Sequence, residues 1–241
     1  KDAFIFVDGG KLYCLGNKDN FTLLTSNKNK YWRGIFVRNS DNASFKNCLI
    51  KNTNEFRSYS FPFLSLTGGV NFYNSKIDIN NLKIENSFAE DGINFINSNV
   101  VGDGIEIINT KSDGIDFDFS QGIIKNIYIK NIFGDGLDFS GSNFNLENLK
   151  ISNVGDKGIS VGENTILKTN NVDVSDSSIA VAVKDASKIL ISNGTMISNE
   201  TDFAAYNKKS FYKIGGDINL KNVKFDINKT QISKDSSILY E

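Results

Sequence analysis

The chain repeats on itself. Gly92, Gly114, Gly136 and Gly158 stand 22 positions apart, Ala180 continues the series, and Ala204 follows after 24. The segments around them read DGINF, DGIDF, DGLDF, KGISV and IAVAV. The residue after each small one is Ile93, Ile115, Leu137, Ile159 or Val181, and two further on stands Phe95, Phe117, Phe139, Val161 or Val183. Between these apolar positions lie Asn94, Asp116, Asp138, Ser160 and Ala182. That period of two marks a strand with one buried face. A unit so short cannot bury its apolar face alone, so it must stack on copies of itself.

A second strand per repeat is visible in NIYIKN, NLKISN and NVDVSD, and SFKNCLIKN, INNLKIENS and LKNVKFDIN follow the same style. No helical periodicity accompanies them. The pattern predicts an all-β fold, a single-stranded parallel β-helix that winds as a solenoid of about 22-residue coils. It also gives the 33 asparagines a reason. Asn109, Asn131 and Asn153 share the spacing and would stack at one corner, where Asn tolerates left-handed backbone and its amides bond from rung to rung. At this coil length the chain makes roughly ten or eleven rungs about 4.8 Å apart, a stack about 50 Å long. One domain over 1–241 suffices: N-terminal coils and a loop over 1–62, regular coils over 63–203, and C-terminal coils with a cap over 204–241.

Composition narrows the chemistry. A net charge of −1 over 241 residues gives no electrostatic argument for nucleic acid. The longest apolar runs fall far short of a membrane span, so insertion into a membrane is not expected. Histidine is absent, which removes the commonest general base and transition-metal ligand. Cys14 and Cys48 form no CxxC pair, which argues against zinc and leaves a single disulfide open. The chain opens on AFIFVDGG, inside what reads as folded sequence, and the expectation is a mature protein or an excised part of a longer one.

Against this background SDGIDFD, Ser112 to Asp118, stands out. Stacking places Asp91, Asp113 and Asp135 in one column, with Lys157 next, and Asp116 and Asp138 in a neighbouring outward column. Two unit charges about 5 Å apart at an effective dielectric of 20 repel by about 3 kcal/mol. Exposure to water reduces that, whereas burial demands a proton or a cation, and Lys157 is placed to be a built-in counter-ion for Asp135. Asp-Gly is also ordinary turn chemistry, and outward carboxylates such as Asp116, Asp118 and Asp138 ordinarily form a solvated face. The candidates for ligand contact are Asp116, Asp118, Asp138, Glu163 and Tyr128, with Asp116 and Asp138 as the pair that would hold calcium. Tyr128, between Ile127 and Ile129, should point outward, and an exposed ring stacks on the C–H face of a sugar. Tyr73, Tyr206 and Trp32 are further aromatic candidates.

DGIDF, GDGLDF and GDKGISVG at this spacing resemble the core of polygalacturonase-type glycoside hydrolases. The resemblance implies the right-handed parallel β-helix of the pectin-lyase-like superfamily. Those enzymes carry N-T-D, D-D, G-H-G and R-I-K on successive coils. Asp113 matches the Asp of N-T-D and Asp135 the second Asp of D-D. The proton-donor position falls on Gly134, the histidine on Lys157, and R-I-K on Ala182, Val183 and Lys184. Inverting hydrolysis needs an acid and a base on opposite sides of the bond. The acid, the histidine and the arginine are all missing here, so the likeness speaks for the fold and against that activity. Pectate lyases have a similar D-G-L-x-D run with calcium-holding carboxylates, and their proton abstraction implies an arginine, yet none follows Arg57. LTGGVNFYNS and GDKGISVGENT are similar to β-helix domains that accompany spore-coat-H-like kinase domains in bacterial surface proteins. That likeness implies an extracellular or cell-surface location and further domains in the same protein.

The expectation is therefore a non-catalytic binding or scaffolding module directed at polysaccharide or a cell-surface glycan, with no cofactor unless calcium. The alternative is a lyase or hydrolase on acidic glycan that uses Asp113, Asp135, Lys157 and Lys184. A purely structural spacer in a larger surface protein is the third class.

Overall fold

The computed structural model describes residues 3–27, 30–57 and 65–241. Over them the chain winds into an all-β parallel solenoid of about nine turns. Each central coil has three sides. The first is a short strand: Gly68–Tyr73, Asp91–Ile96, Asp113–Asp118 and Leu137–Ser140 in successive coils. One long strand supplies the other two sides, as in Lys76–Ser87, Asn99–Thr110 and Gln121–Ile132. A residue with left-handed backbone bends each long strand in its middle: Asn81, Gly104 and Asn126. Further on, Asn143–Gly162 and Ile166–Lys184 run unbroken through the turn into the next first side.

The rungs pair in parallel and in the expected register, Ile93 opposite Ile115, Ile115 opposite Leu137, Leu137 opposite Ile159. The stack is shorter than the ten or eleven rungs the sequence suggests, because the end coils are longer. Ile5 pairs with Ile35, Ile35 with Val70 and Phe203 with Thr230. Between Ile35 and Val70 part of the extra length forms a small antiparallel pair outside the stack, Phe56–Arg57 with Ser65–Leu66. The proposed division at 62/63 lies outside the described residues.

Alternation sends Phe72, Phe95, Phe117 and Phe139 inward, where their rings stack nearly parallel with centroids 5.1, 5.2 and 4.6 Å apart. All four are fully buried, and the core around them is one continuous cluster from Cys14 to Leu220. Offset stacking adds to the area each ring buries, so every coil is held by the coils above and below it.

The corners are built from side chains that repair the backbone. Asn131 donates to Asn109 at 3.0 Å and Asn153 to Asn131 at 2.8 Å, which is the ladder the spacing predicts. A second runs through Asn126, Asn148 and Asn171, and a third through Asn39, Asn74 and Asn97. Between the first and second sides lies a buried hydroxyl ladder. The backbone N–H of Ser98 donates to Ser120 Oγ, that of Ser120 to Ser142 Oγ, and that of Ser142 to Thr165 Oγ1, at 2.9–3.0 Å. Each hydroxyl satisfies an N–H that the corner turns away from the sheet, a group that would otherwise be buried without a partner. Near the N-terminus Cys14 and Cys48 form a disulfide with their Cα atoms 6.3 Å apart.

Candidate functional site

The first sides of the coils stack into one sheet whose outer surface carries three columns. Asp91, Asp113, Asp135 and Lys157 form the leading column. Asn71, Asn94, Asp116, Asp138 and Ser160 form the central one. In the trailing column Asp118 is opposite Ser140, Ser140 opposite Gly162, and Lys184 opposite Tyr206. The fold thus gathers Asp113, Asp116, Asp118, Asp135, Asp138, Lys157 and Lys184 on one face, with Glu163 at its edge. Tyr128 is not among them. It points outward, as expected, but from a different side of the coil, between Glu106 and Lys150. Trp32 is buried, with its Nε1–H donating to the Lys51 carbonyl, so its ring offers no platform.

The leading column is a backbone clamp. Asp113 Oδ1 accepts the Asp135 N–H at 2.8 Å, and Asp135 Oδ1 accepts the Lys157 N–H at 3.0 Å. Lys157 Nζ closes on the same Asp135 oxygen at 3.2 Å and also bonds Asp156. Lys157 is therefore the counter-ion that its position predicts. Burial pushes the Asp135 carboxyl up to about 6, against the pull of the Lys157 charge. Burial alone would lower the Lys157 ammonium, but Asp156 and Asp135 outweigh it and hold the lysine above its ordinary value. A lysine so held is a poor base at neutral pH.

Gly134 explains part of this geometry. A Cβ there would stand 2.0 Å from Asp113 Oδ1 and 3.0 Å from the Ser112 carbonyl carbon. Asp113 Oδ1 cannot retreat without releasing the Asp135 N–H. A side chain at this position would have to displace the Asp113 carboxylate and break that hydrogen bond.

The central column departs from the expected solvated face. Asp116 and Asp138 are half-buried, as is Asp118 in the trailing column. Burial, then the charges of Asp118, Asp91, Asp138 and Asp113, push the Asp116 carboxyl up to about 9. Asp91, which the sequence leaves between a turn role and the charged column, is 3% exposed and is pushed up to about 7, first by burial. Asp113 and Asp118 are also raised, mainly by burial. At neutral pH Asp116 carries a proton, which relieves the like-charge repulsion at the centre of the cluster. Asn94 Nδ2 bridges Thr67 Oγ1, Asp91 Oδ2 and Asp116 Oδ2 at 2.8, 3.2 and 3.4 Å. Among the described residues four buried side-chain atoms have no hydrogen-bond partner, Arg38 Nε, Asn94 Oδ1, Asp138 Oδ1 and Ser160 Oγ. The last three belong to this column.

In the trailing column burial lowers the Lys184 ammonium, with Asp138 and Asp135 opposing that shift. Lys184 lies along Gly162, where a Cβ would touch its Cε at 3.4 Å. Glu163 accepts from Ser140 Oγ at 3.3 Å and from Lys209 Nζ. Calcium takes six to eight oxygens. Asp116 and Asp138 stand on adjacent rungs, but among the described residues no group of three or more Asp, Glu, His or Cys is disposed to hold a metal ion.

Sequence reasoning placed Asn94 and Ser160 in the outward column without assigning them a role, and it set Asp91 in the charged column with Asp113 and Asp135 beside an ordinary turn reading. The signal was their register with Asp116 and Asp138. Their burial is a tertiary property that the register does not reveal. Comparison with protein-family models, curated proteins and solved structures found no match for this chain.

Proposed function

We propose that this solenoid is a non-catalytic glycan-binding module whose ligand lies along the columns of the first side. The observation that carries this reading is the closed position at Gly134. In the enzymes whose motifs the sequence resembles, that position supplies the proton donor, and here even a methyl group meets Asp113 and the Ser112 backbone. Lys157, in the place of their histidine, is engaged by Asp135 and Asp156. What remains is a dense set of half-buried carboxyl groups that still reach solvent, Asp113, Asp116, Asp118 and Asp138. Such groups suit a hydroxyl-rich ligand. The excess of carboxyl groups over Lys157 and Lys184 disfavours uronic acids and suits a neutral or amine-bearing glycan. The Cys14–Cys48 disulfide supports an oxidising, extracytoplasmic location.

One observation favours the enzyme reading. Asp116 and Asp135 are held about three pH units apart, at about 9 and about 6, and carboxyls pushed apart in this way are how sites divide acid and base roles. Electrophoresis through gels containing neutral, amino and uronic polysaccharides, with and without calcium, separates the two, run beside assays for new reducing ends and unsaturated products. Retardation without product is the expected result. Product that vanishes in Asp135→Asn would establish the enzyme instead.

A further inference from the structure

The corner that follows the acidic face carries a feature the face itself does not explain. The left-handed position at this corner is filled by Asn39, Asn74 and Asn97 in the earlier rungs and by Gly141 in the rung after next. Between Asn97 and Gly141 it is filled by Phe119, at φ 50°. Asn and Gly enter this region readily, whereas a bulky side chain there is a conformational outlier. The Phe119 ring gains no core burial in exchange, since the residue is 64% exposed. Its substitution for Asn also ends the amide ladder, because Asn97 meets no amide on the next rung.

The ring lies over Gly141. A Cβ on that glycine would stand 2.7 and 2.9 Å from Phe119 Cδ1 and Cε1, so the glycine makes room for the ring to lie against the corner. The result is a concavity of about 330 Å³ with Phe119 on one wall. Asn97, Asn99, Gln121, Asn143 and Asn164 bring five amide side chains to it. Ser98, Ser120 and Ser142 of the hydroxyl ladder line it as well. Gln121 Nε2 donates to Asn99 Oδ1 at 2.7 Å, which fixes both amide planes. The volume is at the lower end of small-ligand clefts.

We infer that this corner is a subsite for one unit of a neutral glycan. An exposed ring presents an apolar face to the C–H side of a pyranose. Amides that each offer donors and an acceptor match hydroxyls, which also need both. No lysine, arginine or carboxylate lines the concavity, so a charged sugar finds no counter-ion there. Asp118 immediately precedes Phe119, and a chain leaving the acidic face crosses this corner. The inference rests on the glycan reading above and extends it to a second contact.

The test is Phe119→Asn, which puts the neighbouring rungs' residue at the left-handed position. It relieves the outlier and extends the Asn39–Asn74–Asn97 ladder, so the variant should unfold at a temperature no lower than wild type. Affinity electrophoresis with soluble β-glucan, xylan and galactomannan should show at least a tenfold loss of affinity in Phe119→Asn and a smaller loss in Gln121→Ala. Retention in Phe119→Asn equal to wild type overturns the subsite. If retention is then lost in Asp116→Asn/Asp138→Asn, the glycan reading survives without the corner. A wild type that none of the neutral, amino or uronic polysaccharides retards overturns both.

Discussion

The acidic face and the two sides built from the long strands share one core and one register, yet they treat charge in opposite ways. On the long strands, charges on adjacent rungs alternate in sign: Lys51 with Glu85, Lys83 with Glu106 and Lys125 with Glu147, at 2.5, 2.9 and 2.9 Å. Their amides close into ladders. On the first side Asp91, Asp113 and Asp135 follow one another, Asp116 and Asp138 stack beside them, and three buried polar atoms of the central column, with Arg38 Nε nearer the N-terminus, have no partner. The same solenoid can therefore satisfy its charges, and on one face it does not. Local rules broken on one face and obeyed on the others mark a site.

Four perturbations break or sharpen that contrast. Phe117→Ala removes the core beneath both regions and should destabilise by about 3–5 kcal/mol in chemical denaturation, whichever face is followed. Lys157→Met leaves Asp135 buried beside other carboxyls without its counter-ion. It should destabilise by about 3 kcal/mol at pH 8 and far less at pH 5, where Asp135, held at about 6 even with its lysine, accepts a proton.

Asp116→Asn should do the reverse. The folded carboxyl, pushed up to about 9, keeps a proton that the unfolded chain releases near pH 4. Its contribution is complete below that pH and is lost as pH rises toward 9. Asp135 and Asp91 add parallel losses that end near 6 and 7. Wild-type stability should therefore fall between pH 4 and 9. Asp116→Asn should flatten that fall and gain about 2 kcal/mol at pH 8, a figure discounted for the carboxyl's partial exposure. Glu106→Gln, on the paired side, should change stability by less than about 1 kcal/mol, and the effect should shrink in high salt. A larger effect there than at Asp116 would erase the contrast.

How much of this the sequence holds follows from what a period can fix. A spacing of 22 assigns each residue to a column and an inward or outward direction. The Phe95–Phe117–Phe139 stack, the Asn109–Asn131–Asn153 ladder and the Lys157–Asp135 pair were legible for that reason. Where the period fails, so did the reading. Asn47 bonds Asn81 across an N-terminal coil of 34 residues, and Cys14 meets Cys48 across the same interval. Burial of outward residues is also not periodic. Asp116 is desolvated by neighbours in its own and adjacent columns, and an alternating pattern reads it as solvated. Phe119 shares its column with Asn97 and Gly141, but only the left-handed backbone shows why a phenylalanine there is unexpected.

The central claim is that the acidic face is kept unsatisfied for a ligand. Its most direct test is the affinity of wild type and Asp116→Asn/Asp138→Asn for the polysaccharide that retards the wild type most, measured at pH 7 beside their unfolding temperatures. The account predicts a variant that is more stable and binds at least tenfold more weakly. A variant that gains stability and binds as wild type does would mean that the stacked carboxyls serve no ligand, and the binding function would have to leave this face.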